Sequence, residues 1–419
     1  MITMKWILGI VGAGMMVFAL VGLTSRSGFA NDNDAPSKGD ASVALRSARL
    51  YLKQQLWDKA IEQLEIAVRG DSNNAEAHYL LGSIYADRDS VEQMNRHFDL
   101  TSRLKPKKYD GDIKSWRDKG WTQHYNNGVR ALQKDKLEEA LKEFTMAVQV
   151  DSVRADGYKS LGLTYLRLDQ TEKGIETFEK AVGMDPKDAK ALVNLGIAYH
   201  NARQPEKEVG VFQAAARLDP KNADVMSKLV MGYETLAGVT KDSVKAAVIY
   251  DSAMVACEQA LALDPKNARV AVTAGRLHLN RAMNLLVSGK KEEANASYAS
   301  AEKHLKVALE LDPKDVSSAF NLGLCYNQLE RSDEAITMFR KAVEIDSTDV
   351  DSWIQLGITQ YRKKDLDGAI ETFKKITEIK PDNVRAYEFL ASIYAQKDMV
   401  KEAKEADAMA QKLRGQGKE

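Results

Sequence analysis

The side chains that could perform catalysis or hold a metal are scattered along this sequence. Its six histidines form no His-Glu-x-x-His motif, which would place two zinc ligands and a general base on one helix. Cys-x-x-Cys spacing, a Gly-rich phosphate loop and a Gly-x-Ser-x-Gly nucleophile turn do not occur either. His78 and His124 stand where other copies of a repeated pattern have Tyr158, Trp353 and Tyr387, so we interpret them as packing residues. The sequence therefore predicts a protein that is not an enzyme, with no catalytic, cofactor-binding or metal-binding residues.

The elements that would position a binding site follow from a pattern that recurs every 34 residues. A fixed period of this length is typical of repeat proteins, in which one supersecondary unit is copied along the chain. Neighbouring copies stack and together bury the apolar face that a single copy leaves open. The copies without insertions span residues 41–74, 75–108, 121–154, 155–188, 189–222, 316–349 and 350–383, and a joint lies at 109–120.

The first half of each repeat predicts a helix that approaches a neighbour closely. Its eighth place is nearly always small, and Tyr commonly follows three residues later, as in Gly196 and Tyr199. Because glycine in a helix costs about 1 kcal/mol relative to alanine, its recurrence needs a reason. We infer that a side chain of a neighbouring helix fits against this glycine. It recurs as Gly82, Gly128, Gly162, Gly196, Gly275, Gly323 and Gly357.

The second half of each repeat predicts a second helix that ends before a proline. A large and a small apolar residue stand three places apart, as in Phe178 and Ala181, which is the spacing of a buried helical face. Four repeats then close with Asp-Pro-Lys, as at Asp185-Pro186-Lys187. Proline disfavours the helical conformation of the residue before it. Each repeat is therefore predicted to be a helix, a short turn and an antiparallel helix.

This combination of residues resembles the tetratricopeptide repeat. The resemblance implies an all-α, right-handed solenoid of about ten helix-turn-helix units over residues 41–413, followed by a tail at 414–419. The remaining units are repeats six, seven and ten, at 223–267, 268–315 and 384–413. Repeats six and seven exceed the period by 11 and 14 residues, which are close to whole helical turns, so we expect lengthened helices there. These helices either pack only on themselves or provide a docking surface, including for self-association.

In this family the first helices line a concave groove that takes up extended or helical peptides. The resemblance implies that Asn126, Asn194 and Asn321 stand where the family bonds peptide backbone. The apolar candidates either form an exposed wall or pack between neighbouring repeats, and the sequence leaves both readings open. The candidate groove residues are Tyr125, Asn126, Lys159, Leu163, Asn194, Ile197, Lys228, Phe320, Asn321, Leu324, Ile354, Ile358 and Tyr361.

Part of the groove is similar to a clamp by which some relatives hold a terminal carboxylate. Lys159, Asn194 and Lys228 match that clamp. Leu163 replaces a second Asn, and Asp224 replaces a Lys, so the match is incomplete. The sequence therefore favours a groove for a partner protein or peptide without assigning it this carboxylate specificity.

Residues 1–30 are predicted to be a signal peptide or an N-terminal membrane anchor. Lys5 precedes an uncharged stretch at residues 6–23, and Gly28-Phe29-Ala30 follows as a cleavage pattern. The stretch just reaches spanning length, so a membrane tether through residues 6–23 is the alternative to cleavage. Residues 31–40 are predicted to be a flexible linker. We expect an exported, periplasmic protein or, with an uncleaved segment, an inner-membrane anchor that holds the repeats in the periplasm.

Charge and cysteine content narrow the range of partners. Lysine plus arginine equals aspartate plus glutamate at 60 each, so no net field attracts nucleic acid, and none is predicted as a partner. Cys257 and Cys325 lie in repeats six and eight. Repeats contact only their neighbours, so these sulfurs should be too far apart for a disulfide. We expect both cysteines to be small core residues.

The predicted function is a non-catalytic scaffold for protein–protein interaction in the bacterial cell envelope. The repeats occupy nearly all of the chain after residue 40 and leave no room for a catalytic domain. A partner peptide or helix would bind in the concave groove. The alternative is an accessory factor for the assembly or export of an envelope polysaccharide or lipopolysaccharide.

Overall fold

The computed structural model describes residues 36–416, and within that range all regular elements are helices. The predicted signal peptide or anchor and residues 31–35 of the predicted linker lie outside the described residues. The chain divides into two compact parts, with the boundary in the sequence between residues 116 and 117. We refer to residues 36–116 as the N-terminal part and to residues 117–416 as the C-terminal part.

The N-terminal part is a stack of two helix pairs. Its core is formed by small and branched apolar side chains, among them Ala60, Leu64 and Leu81. The helices are α1 Lys38–Lys53, α2 Trp57–Gly70, α3 Ala75–Asp87 and α4 Val91–Leu104, and α5 Asp110–Gln133 begins in this part.

The N-terminal part begins in regular structure earlier than the sequence predicted. Helix α1 begins at Lys38, inside the segment predicted to be a flexible linker. Its start is fixed by a reciprocal cap: the Ser37 hydroxyl accepts a hydrogen bond from the Asp40 N–H, and the Asp40 carboxylate accepts one from the Ser37 N–H. Residues 38–40 are therefore helical rather than part of a linker. The joint predicted at 109–120 also differs, because from Asp110 it is continuous with the first helix of repeat three.

The C-terminal part continues the same design, with consecutive helices packed against each other. A phenylalanine of the second helix is fully buried in several repeats of both parts, as Phe98, Phe144, Phe178, Phe212, Phe339 and Phe373. The helices are α6 Leu137–Val150, α7 Ala155–Arg167, α8 Thr171–Met184, α9 Ala189–Asn201, α10 Pro205–Leu218, α11 Ala223–Val239, α12 Ser243–Leu263, α13 Ala268–Val287, α14 Lys291–Leu311, α15 Val316–Gln328, α16 Ser332–Ile345, α17 Val350–Arg362, α18 Leu366–Ile379, α19 Val384–Gln396 and α20 Val400–Gln416. The predicted all-α solenoid of helix-turn-helix units is confirmed, and α20 extends into the tail predicted at 414–419.

The close contact predicted at the recurrent glycine is confirmed. A Cβ atom at Gly196 would lie 2.3 Å from the ring of Phe212, and one at Gly323 would lie 2.6 Å from the ring of Phe339. Both distances are far below a van der Waals contact. The phenylalanine ring of the second helix therefore occupies the space that a side chain on the first helix would need.

Caps and turns at fixed places separate the helices. An Asn or Asp at the last place of a repeat accepts a backbone hydrogen bond at the start of the next first helix, as Asn74, Asp188, Asn222, Asn267, Asp315, Asp349 and Asn383. The turn inside a repeat contains one residue with φ from 54° to 67°, at Gln55, Asp89, Asp135, Asp169, Arg203, Glu330, Lys364 and Asp398. Gly289 takes the corresponding conformation in repeat seven.

The lengthened helices predicted for repeats six and seven are present. Helices α12 and α14 each have 21 residues, and the Asp242 carboxylate accepts backbone hydrogen bonds at the start of α12. Tyr298 and Leu305 of α14 are buried along its length. Cys257 and Cys325 form no disulfide bond and are fully buried, and burial raises the pKa of each thiol to about 12. The expectation that both cysteines are core residues is confirmed.

Candidate peptide-binding groove

The first helices of repeats four to seven form the side of the C-terminal part that carries the candidate site. Helices α7 and α9 are in contact, as are α9 and α11. Arg276 of α13 forms an ion pair with Glu234 of α11. One cleft of about 510 Å³ opens beside α9 and α11, a second of about 220 Å³ opens beside α11 and α13, and Asp224 lines both. We call the surface formed by α7, α9, α11 and α13 the α7–α13 groove.

Asn194 is the polar residue best placed for recognition in this groove. It lies half-buried in the wall of the larger cleft, together with Lys190, Val193 and Asp224. Its side-chain amide makes no hydrogen bond to any residue between 36 and 416. Because a carboxamide offers both a donor and an acceptor, it can pair with a peptide N–H and C=O at once. The backbone-binding role that the family resemblance implies for Asn194 stays a prediction.

The rim of the groove carries charges of alternating sign. The second residue of each first helix is exposed and charged: Asp156, Lys190, Asp224 and Arg269. The two aspartates have partners in their own helices, while Lys190 and Arg269 form no ion pair within the described range. Sequence reasoning missed this row. The signal was available, since all four residues occupy the same place of the 34-residue pattern.

The two candidate lysines are paired inside the protein. The Lys159 Nζ lies 2.7 Å from an Asp156 carboxylate oxygen and 2.6 Å from one of Asp188. Burial alone would lower the pKa of Lys159, but the hydrogen bonds to both carboxylates outweigh it and raise that pKa above its ordinary value. The Lys228 Nζ lies 3.2 Å from an Asp224 oxygen. A clamp for a terminal carboxylate would require unpaired lysines, and both of these lysines are already paired with carboxylates of the protein.

The apolar candidates of this groove differ in accessibility. Leu163 of α7 is 42% exposed and is available to a ligand. Ile197 of α9 is half-buried and packs against the core cluster beneath α9 and α11. In repeat three, the ring of Tyr125 stacks on Trp121 with centroids 4.6 Å apart, whereas Asn126 is exposed. An apolar wall exists here, but it is narrower than the sequence pattern indicated.

The candidates in repeats eight and nine are largely packed into the core. Ile354 and Ile358 are only 9% and 7% exposed and belong to the cluster around Phe373, so the reading of them as an open wall is wrong. Phe320 and Leu324 pack against the preceding core cluster.

The polar candidates in these repeats are also engaged. The ring of Tyr361 makes an edge contact with Phe389, and its hydroxyl accepts a hydrogen bond from Gln396. The Asn321 amide donates to the Ser317 hydroxyl at 3.4 Å. The structure therefore concentrates the accessible candidates in repeats three to six.

Helix α12 presents a separate apolar surface. Val244, Val248 and Val255 are exposed along it, while Ala253 and Cys257 face the core. Val244–Leu263 is also the one helical segment between residues 36 and 416 that is long and apolar enough to cross a membrane, by length and composition alone. Its core contacts make it part of the helix stack in this structure. Self-association through repeats six and seven stays a prediction.

Fold and groove together define a helical-repeat protein of the class that serves as a scaffold for protein–protein interaction. The chain belongs to the tetratricopeptide repeat family. Models described as "Tetratricopeptide repeat" match residues 159–223, 279–350 and 350–383, and one described as "TPR repeat" matches residues 48–88. No curated protein matches the sequence.

Several solved structures are similar to about half of this chain at low identity. YrrB, described as "a TPR protein with an unusual peptide-binding site", is 19% identical over 53% of this chain and 97% of its own, with a TM-score of 0.42. MamA is 22% identical over 47% of this chain and 94% of its own, with a TM-score of 0.38. PilF of Pseudomonas aeruginosa is 20% identical over 58% of this chain and 98% of its own, with a TM-score of 0.40.

Proposed function

We propose that this protein is a non-catalytic scaffold that binds an extended segment of a partner protein along the α7–α13 groove. The observation that carries the proposal is the unbonded, half-buried amide of Asn194 in a cleft of about 510 Å³. Neither polar atom of this amide is fully buried, so the amide is accessible from the cleft, and a peptide backbone offers a partner to both its donor and its acceptor.

The charges at the rim supply the selectivity of the proposed site. Exposed Lys190 and Arg269 alternate with Asp156 and Asp224 along the groove. A peptide whose acidic and basic side chains alternate in the complementary order would match this row, whereas a uniformly charged peptide would meet repulsion. Binding should weaken as salt is added, because the rim charges are exposed and therefore screened.

The first prediction concerns Asn194 and Lys190. We expect Asn194→Ala and Lys190→Glu each to weaken the binding of a selected peptide by about tenfold, the equivalent of one hydrogen bond or one rim ion pair. Peptides are first selected from a displayed library against the full chain, and their dissociation constants are then measured by fluorescence anisotropy. Asn201→Ala, at the end of the same helix α9, and Lys180→Glu, on the exposed side of α8, are the matched controls. If the selected peptides bind all four variants equally well, the α7–α13 groove is not the binding site and the proposal is contradicted.

We also propose that the scaffold works in the cell envelope. The support is the N-terminal sequence, with Lys5, the uncharged stretch at 6–23 and Gly28-Phe29-Ala30. In bacterial cells producing the full chain with a C-terminal tag, we expect the tag in the periplasmic or the inner-membrane fraction. It should be digested by protease added to spheroplasts. A tag that fractionates with cytosolic markers and resists protease would contradict this location.

A further inference from the structure

Three side chains that are far apart in the sequence meet at the junction of repeats six and seven. Glu258 lies on α12, His278 on α13 and His304 on α14. The His304 Nε2 is 2.8 Å from the Glu258 Oε1, and the His278 Nε2 is 3.4 Å from the same oxygen. The ligand atoms of all three residues lie within 4.8 Å of one another. Two imidazoles and one carboxylate therefore converge from three helices.

This cluster replaces a hydrogen bond that other repeats form at the same place. The Tyr199 hydroxyl donates to Glu179 of the preceding repeat at 2.6 Å, and Tyr233 accepts from Gln213 at 2.8 Å. His278 occupies the place of that tyrosine and faces Glu258, which occupies the place of Glu179. A second imidazole, His304, stacks on His278 with centroids 5.6 Å apart. The ordinary pair of side chains has thus become a set of three potential ligands.

The hydrogen bonding of the cluster is incomplete as it stands. The His278 Nε2 is buried and has no aligned hydrogen-bond partner among the described residues. The Glu258 oxygen that lies 3.4 Å from it already pairs with His304. An unsatisfied buried nitrogen is costly, and a cation between the three residues would give each of them a partner.

We propose that Glu258, His278 and His304 form a zinc-binding site. Two imidazole nitrogens and a carboxylate oxygen are a ligand set that zinc accepts, at about 2.0–2.2 Å from the metal. Tetrahedral geometry at these lengths places ligand atoms about 3.4 Å apart, which small side-chain movements reach from the present spacing.

A cleft beside His278 would give a bound zinc ion access to water as a fourth ligand. His278 lines a cleft of about 260 Å³ together with Ser297, Ser300 and Glu293, and this cleft provides the entry path. The ion would join α12, α13 and α14, the elements that the insertions in repeats six and seven lengthen. Zinc binding would therefore stabilise this junction against unfolding.

The test uses the full chain, freed of metal with a chelator and titrated with zinc chloride in a calorimeter. We expect one zinc ion per chain and a zinc-dependent rise of the melting temperature. Cobalt should bind with the visible absorption of a tetrahedral site. His278→Tyr and His304→Gln should each raise the zinc dissociation constant by roughly 100-fold or more, since losing a ligand costs at least as much as losing a residue that orients one.

His278→Tyr separates binding from folding. It installs the residue that other repeats have at this place, so helicity and the melting temperature without zinc should stay near those of the parent. His200→Gln is the control, because His200 also pairs with a glutamate, Glu208 at 3.0 Å, but without a third ligand. Absence of zinc binding by the parent would overturn the proposal. Zinc binding that survives both ligand substitutions unchanged would overturn it as well.

Discussion

Replacing Glu208 by alanine is expected to raise the free energy of unfolding by roughly 1–3 kcal/mol at pH 7, the range for relieving a poorly satisfied buried polar group. Glu208 is fully buried in α10. Its Oε1 pairs with the His200 Nδ1 at 3.0 Å, while its Oε2 has no partner among the described residues. Most other repeats have alanine at this place, as at Ala140 and Ala335, so the variant restores the residue that fits the helix pair.

The effect should depend on pH in a defined direction. Burial raises the pKa of Glu208 above its ordinary value of 4.5, although the neighbouring His200 partly opposes the shift. A raised pKa in the folded state means that the folded protein holds this proton more tightly than the unfolded chain. The associated stability is complete below pH 4.5 and is lost as pH rises through the folded-state pKa. The gain from Glu208→Ala should therefore be larger at pH 7 than at pH 4.

Urea unfolding at both pH values measures this gain. Glu206→Ala is the matched control, because Glu206 lies exposed on the same helix and should change stability by less than about 0.5 kcal/mol. If Glu208→Ala instead destabilises the protein at pH 7, the pair with His200 contributes more than the burial of the carboxylate costs. Glu208 would then be a stabilising residue of this repeat.

The fold was predictable because the same helix-ending and packing residues recur at the same places in successive repeats. The proline in Asp185-Pro186 ends a helix because it disfavours the helical conformation of the residue before it. The contact between Gly196 and Phe212 is likewise formed by the corresponding glycine and phenylalanine of other repeats. The start of α1 was missed because the cap formed by Ser37 and Asp40 lies before the first repeat, where no copy of the pattern draws attention to it.

The site was predicted only in part, because the exposure of a side chain depends on the neighbouring repeats as well as on its position in the 34-residue pattern. Leu163 and Ile358 share one place in the pattern, yet Leu163 is exposed and Ile358 is buried. Large side chains of the next repeat, Tyr387 and Phe389, join the cluster that contains Ile358. The meeting of Glu258 with His304 could not be predicted either. These residues are 46 apart, and the insertions in repeats six and seven break the period that relates them.

Gly196→Ala should have the opposite effect to an ordinary helical glycine substitution and destabilise the protein by about 1–3 kcal/mol, the range for overpacking a core. Alanine is the better helix former by about 1 kcal/mol, and that gain is included in this net value. The new Cβ would lie 2.3 Å from the Phe212 ring, which is itself fully buried and cannot turn aside into solvent.

Gly210→Ala is the control that isolates the contact from the helix preference. Gly210 lies in α10 of the same repeat, and a Cβ there meets nothing within 4 Å, so this variant should gain up to about 1 kcal/mol. Chemical denaturation of the parent and both variants measures whether each substitution raises or lowers the free energy of unfolding. A neutral or stabilising Gly196→Ala would mean that Phe212 can move within the core. The recurrent glycine would then reflect something other than the fit of one helix against the next.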